Sequence, residues 1–93
     1  MRGILITLLI ALGLNSFAQS KAPSHDIWNE LLKKNVSADS NVNYKGFIDD
    51  SVKLGKYLKI LSSSKPDNKT WSRNELKAFW INAYNAFTVK LII

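Results

Sequence analysis

The chain has 93 residues, a formal charge of +6 and no cysteine. That length holds one small domain at most, and a chain without cysteine has neither a disulfide-stapled core nor the thiol that a lipoprotein anchor needs at its cleavage point. The 13 Lys and Arg residues are spread along the chain without a dense run, which reads as solvated surface and excludes a nucleic-acid face.

Met1 and Arg2 make a short positive start, and residues 3–14 form an uncharged apolar run. Asn15, Ser16, Phe17 and Ala18 follow, with small residues at the minus-three and minus-one positions before Gln19. This layout predicts a secretory signal peptide over residues 1–18, cleaved after Ala18. A spanning anchor would need about 20 apolar residues, and Asn15 and Ser16 interrupt this run. Export to the periplasm or the extracellular space is expected. Cleavage leaves 12 of the Lys/Arg against all 7 Asp/Glu, a formal charge of +5, together with three Trp, three Tyr and three of the four Phe.

After a polar lead-in at residues 19–23, Ser24 is placed to cap a helix whose apolar residues Ile27, Trp28, Leu31 and Leu32 share one face. Glu30 precedes Lys33 and Lys34 in the favourable order for helical ion pairs, and Asn35 is a natural stop. Residues 36–43 read as a polar loop, with Val42 and Tyr44 as a brief extended segment. A second helix is predicted from Phe47 or Asp50 to Leu61, because Leu54, Tyr57, Leu58 and Leu61 follow the helical repeat while Lys53, Lys56 and Lys59 take the other side. Gly55 weakens it modestly.

Residues 62–70 form a second polar loop, and Ser72-Arg73-Asn74-Glu75 then matches a capping box, with Trp71 and Leu76 at the staple positions. A third helix therefore starts near Arg73. No stop signal follows, and residues 88–93 stay largely apolar, which predicts that the domain continues past Ile93. Leu76, Phe79, Trp80, Ala83, Phe87 and Leu91 form one wide stripe, yet Ile81, Val89, Ile92 and Ile93 lie outside it. Such a helix is expected to be buried on more than one face.

The predicted fold is a mainly α fragment: two amphipathic helices packed on a long buried helix, with residues 24–93 forming the N-terminal part of one larger α+β domain. Its expected core is Trp28, Leu31, Leu32, Leu54, Tyr57, Leu58, Leu61, Trp71, Leu76, Phe79, Trp80, Ala83 and Phe87. So short a chain covers little of the long helix, so the isolated chain is expected to be marginal or self-associating.

Candidate chemistry is sparse. Asp39, Asn41, Asn43 and Asp50 have the spacing of an EF-hand loop, but Tyr44 stands where that loop turns on glycine and Asp50 is short for the bidentate position. A polar turn leading into a helix is the better reading. His25 is the only histidine, with no second His or Cys to complete a metal site, and it reads as an exposed first-turn residue. Adjacent Asp49 and Asp50 diverge by about 100° on a helix and form no carboxylate pair; acids at a helix start suit the helix dipole. No metal or other cofactor is implied. Asn35-Val36-Ser37 and Asn68-Lys69-Thr70 are glycosylation sequons.

Asn82 and Asn85 sit within the most apolar helix. An unpaired buried amide costs about 1–3 kcal/mol, so both are expected to find partners, either by tying down loop backbone or by lining a ligand pocket.

The segments HDIWNELLKKNV, NVNYKGF and WSRNELKAFWINAYNAFTVKLI together resemble the opening part of the family catalogued as domain of unknown function 547, over residues 24–93. The AFWINAYNAFT run carries most of that resemblance, with Tyr44-Lys45-Gly46 at the expected distance before it. The resemblance implies a longer exported domain in which a later segment bears a histidine and paired cysteines. It marks Trp80, Asn82, Tyr84 and Asn85 as signature positions for ligand binding or structure.

Two functional readings follow. In one, the chain is part of a thiol-dependent hydrolase whose Cys and His lie beyond residue 93, with an amide orienting the imidazole as in Cys-His-Asn sites. In the other, it is a non-catalytic exported binding module. Mass spectrometry of the exported product should find Gln19 at the N-terminus; Met1 retained on the soluble protein removes the signal-peptide reading.

Overall fold

The computed structural model describes residues 21–93. The signal peptide expected at residues 1–18, and its cleavage before Gln19, lie outside the described residues. The described chain forms helices α1 (Asp26–Asn35), α2 (Tyr44–Asp49), α3 (Ser51–Ser63) and α4 (Arg73–Ile92). No described helix is long and apolar enough to cross a membrane.

Helix α1 begins one residue later than its cap signal suggests. His25 occupies the N-cap position, while the Ser24 hydroxyl accepts the Asp26 amide at 3.1 Å. The expected stop at Asn35 holds, and Val36 leaves the helix in extended conformation. Val36 then forms an isolated antiparallel bridge with Val42, closed by a turn in which Ser40 adopts a φ of 70°. Tyr44 is not extended, contrary to the sequence expectation. The Asn43 side chain accepts the Gly46 amide at 3.0 Å and starts α2 at Tyr44, so a local cap overrides the strand tendency of a tyrosine.

Helix α3 starts immediately after Asp50. Helix α4 starts as the capping box predicts: Ser72 Oγ accepts the Glu75 amide at 3.1 Å and Glu75 Oε1 accepts the Ser72 amide at 2.8 Å.

The mainly helical expectation holds. The centre of the packing, however, is α3 rather than the long helix: α1 and α2 pack on α3 and on each other, and α4 packs on α3 and borders α1 and α2 across a cleft. Trp28 of α1 stacks on Phe47 of α2 at 5.9 Å between ring centroids and on Tyr57 of α3 at 5.8 Å. All three rings are fully buried. Such pairs add about 0.5–1.5 kcal/mol each beyond their area burial. On the α4 side, Trp71 meets Phe79 edge-to-face at 5.3 Å. The Trp71 indole N–H is buried without a partner among the described residues, a loss of about 1–3 kcal/mol set against the apolar surface its ring removes from water.

Phe47 and Ala86 join the expected core, whereas Trp80 and Phe87 stay exposed. The long helix is buried along one face only.

Among the described residues, one polar residue is sealed with the core. Asn35 is 2% exposed. Its carbonyl accepts the Asn43 amide at 2.7 Å and its Nδ2 donates to Asp50 Oδ2 at 3.1 Å, which joins the end of α1 to both ends of α2. Lys34 reaches the other Asp50 oxygen at 3.0 Å. Bonding from Asn35 and then from Lys34 holds the Asp50 carboxyl below the usual carboxylate range. The Asn35 amide lies against the backbone of Gly46, where a Cβ would run into Asn35 Oδ1.

Gly55, on the exposed side of α3, has open space around its missing Cβ. The two glycines should therefore respond oppositely to alanine. Gly55→Ala should stabilise by about 0.5–1 kcal/mol through helix propensity. Gly46→Ala should destabilise by about 1–3 kcal/mol, because it displaces a buried, bonded amide. Urea denaturation of both variants measures the pair, and two shifts of the same sign would refute the account of the Asn35 corner.

Candidate functional site

Twenty residues of α4 present three faces of different character. Phe79 and Ala86 face the body of the fold and are buried. A quarter-turn round the helix, Trp80, Tyr84, Phe87 and Leu91 recur at intervals of four, three and four residues and remain 59, 74, 41 and 85% exposed. That spacing keeps side chains in one line along a helix. Trp80 also packs edge-to-face on Phe79 at 5.0 Å, so an aromatic series runs from buried Trp71 through Phe79 to the surface.

Beside this line, the end of α3 and the following loop supply Leu61, Ser62, Ser64 and Pro66, and the two walls enclose a groove of about 680 Å³. Two of its hydroxyls are turned to their own backbone: Ser64 Oγ donates to the Ile60 carbonyl at 2.8 Å and Thr88 Oγ1 to the Tyr84 carbonyl at 2.6 Å, which leaves the Ser62 hydroxyl and the Tyr84 phenol as its other polar side-chain groups. The groove therefore offers mainly apolar surface.

The four signature positions do not converge. Trp80 and Tyr84 line the groove. Asn85 points to the other side of α4, into a cleft of about 250 Å³ with Trp28, Tyr44 and Phe47 among its walls. Asn82 is half-buried and lines neither cavity.

Neither amide ties down loop backbone, and of the two only Asn85 lines a cleft. Asn85 is exposed, Asn82 only half-buried, and among the described residues neither side chain makes a hydrogen bond. The expected cost of stranding a buried amide does not arise, because neither side chain is sealed from solvent. The amide that does tie elements together is Asn35, whose helix-stop signal in the sequence carried no hint of burial.

The EF-hand-like spacing also dissolves. Asp39 accepts bonds from Ser37 and Asn41 within its own turn, Asn43 caps α2, and Asp50 is engaged by Lys34 and Asn35. Among the described residues no group of three or more His, Cys, Asp or Glu side chains could hold a metal ion. Of the lysine stripe, Lys53 pairs with Glu30 at 2.6 Å, an exposed pair of the kind worth about 0–1 kcal/mol; Lys56 and Lys59 are solvated.

His25 departs from its expected exposure. It is half-buried against the core, with Nδ1 bonded to the Tyr57 hydroxyl at 2.5 Å. Burial pushes the Tyr57 phenol up to about 12. Burial also lowers the His25 pKa, against the opposing pull of Asp26. The phenol keeps its proton, and its hydroxyl donates the hydrogen bond to Nδ1 when the imidazole is neutral with its hydrogen on Nε2. Only the 32-residue separation hid this pair, since nothing local in either segment announces it.

Residues 68–93 match the family model described as Protein of unknown function, DUF547. The match covers α4 with its capping box and includes Trp80, Asn82, Tyr84 and Asn85, in agreement with the resemblance carried by the AFWINAYNAFT run. No curated protein and no solved structure matches the chain.

The His25–Tyr57 pair sets a pH dependence. A histidine whose folded pKa lies below its unfolded value of about 6.5 contributes stability that is complete above that value. The contribution is lost as pH falls through the lowered folded pKa. With a single histidine in the chain, the imidazole NMR signal should titrate below 6.5. The denaturation midpoint should fall between pH 7 and pH 5, a decline absent from His25→Gln. Titration at or above 6.5 would contradict the buried geometry.

Proposed function

We propose that residues 24–93 act as a helical binding module of an exported protein, with the groove between the end of α3 and α4 taking an apolar helical segment. The observation that carries this reading is the exposed line of Trp80, Tyr84, Phe87 and Leu91 along the groove. Soluble monomers rarely leave a contiguous apolar patch of this kind unless something binds it. Anchors at helical spacing beside a concave wall are the arrangement that receives the apolar face of an amphipathic helix.

The groove's chemistry narrows the ligand class. With the Ser64 and Thr88 hydroxyls committed to backbone carbonyls, and no charged side chain in the lining, the groove has nothing to hold a phosphate or another ionic ligand. The groove asks only for an apolar helical face. Export rests on the apolar leader at residues 3–14 and on the small residues around Ala18.

Trp80 is the natural reporter, because Trp28 and Trp71 are buried. An amphipathic helical peptide with leucines at four-three-four spacing and a glutamate-rich polar face is a suitable probe, its charge opposing that of this basic chain. Its binding should shift tryptophan emission to the blue and protect it from collisional quenching. Trp80→Ala should abolish both signals, and Tyr84→Lys should weaken binding at least tenfold, about 1.4 kcal/mol. Unaltered binding in both variants would place the peptide elsewhere and remove the groove as its site.

A further inference from the structure

We infer that the helix filling the groove is α4 of a second copy of this chain, packed antiparallel so that Trp80 meets Leu91 and Tyr84 meets Phe87 across a twofold axis. This rests on the binding-module reading and adds the identity of the occupant.

The spacing of the exposed line makes it self-complementary. Trp80, Tyr84, Phe87 and Leu91 are placed symmetrically about the midpoint between Tyr84 and Phe87. A twofold axis through that midpoint sets each member opposite another apolar member, and the same patch serves both copies, as an isologous interface requires. Intervals of four and three are also the knob positions of a helix pair.

Size and charge both select the antiparallel sense. Opposite orientation places the largest side chain, Trp80, against Leu91, whereas parallel pairing would crowd two Trp80 rings into one layer. Parallel pairing would also bring Lys77 beside its own copy, since Lys77 precedes Trp80 by three residues on the same line. Antiparallel pairing separates the two by roughly 25 Å along the axis, at 1.5 Å per residue. The flanks of the line then carry Ile81, Ala83 and Thr88, with Lys90 facing no like charge.

The area is adequate for a modest dimer. At the observed exposures the three aromatic rings and Leu91 present on the order of 500 Å² per chain. A pair would therefore bury about 1,000 Å², the lower bound for a specific interface. A micromolar rather than nanomolar dimer is expected.

The cysteine-free sequence gives a direct test. Sedimentation of the full chain should show a concentration-dependent monomer–dimer equilibrium, weakened at least tenfold by Tyr84→Lys and by Leu91→Lys. Both side chains are largely exposed, so circular dichroism should show both variants still helical, and either one suffices if the other misfolds. Oxidation of an equimolar mixture of Trp80→Cys and Leu91→Cys chains should give the mixed disulfide in at least tenfold excess over either homodisulfide, because residues 80 of two antiparallel copies lie about 16 Å apart along the axis.

A predominant Trp80→Cys homodisulfide would overturn the antiparallel arrangement. Dimers unaffected by both lysine variants would place the interface elsewhere. A chain that binds the amphipathic peptide yet stays monomeric at millimolar concentration would remove the second copy and leave the binding module standing. A chain that does neither removes both.

Discussion

The fold depends on the indole of Trp28. Three short helices meet at this ring: α1 contributes it, and α2 and α3 lay Phe47 and Tyr57 against it. None of these helices is long enough to persist alone in water, where isolated helices below about 12–15 residues are marginal. The stack supplies the tertiary burial that makes them helical together. It also fixes polar consequences at its margin, because burying Tyr57 draws His25 out of solvent to take the phenol hydrogen bond.

Concentrating the core among the first three helices leaves α4 held from one side. It docks through Phe79 and Ala86, flanked by half-buried Leu76, Ala83 and Val89, with Trp71 sealing the junction, while Trp80, Ile81, Tyr84, Phe87 and Leu91 face outward. The single buried line and the neighbouring exposed line are continuous through the contact of Phe79 with Trp80. Whatever covers Trp80 therefore touches a ring that already reports on the interior, so occupation of the groove and the firmness of α4 docking are mechanically linked.

What the sequence made legible was local. The capping box at Ser72 and Glu75, the stop at Asn35 and the helical repeat through Leu54, Tyr57, Leu58 and Leu61 are short-range patterns, and each appears where expected. The misses are long-range. Phe47 gave no periodic signal because α2 is only six residues long, and Asn35 looked like punctuation until Asp50 and Gly46 closed around it. The outward turn of Trp80 and Phe87 could not be read from a helix apolar on nearly all sides, since periodicity says which residues share a face and not which face finds a partner. The same ambiguity misplaced Asn82 and Asn85, whose surroundings were inferred from a burial that α4 does not have.

The sealed amide of Asn35 bears on how the chain matures. Asn35-Val36-Ser37 is a glycosylation sequon, and a glycan would attach to the Nδ2 that donates to Asp50. A chain glycosylated at Asn35 before it folds could not close α1 onto α2, because the glycan would occupy the sealed position. Asn68, exposed in the loop before α4, would carry a glycan without disturbing the packing. Export through a compartment that glycosylates would thus split the product into a foldable fraction and a trapped one, divided by the occupancy of a single asparagine. A host without the transferase would make only the first.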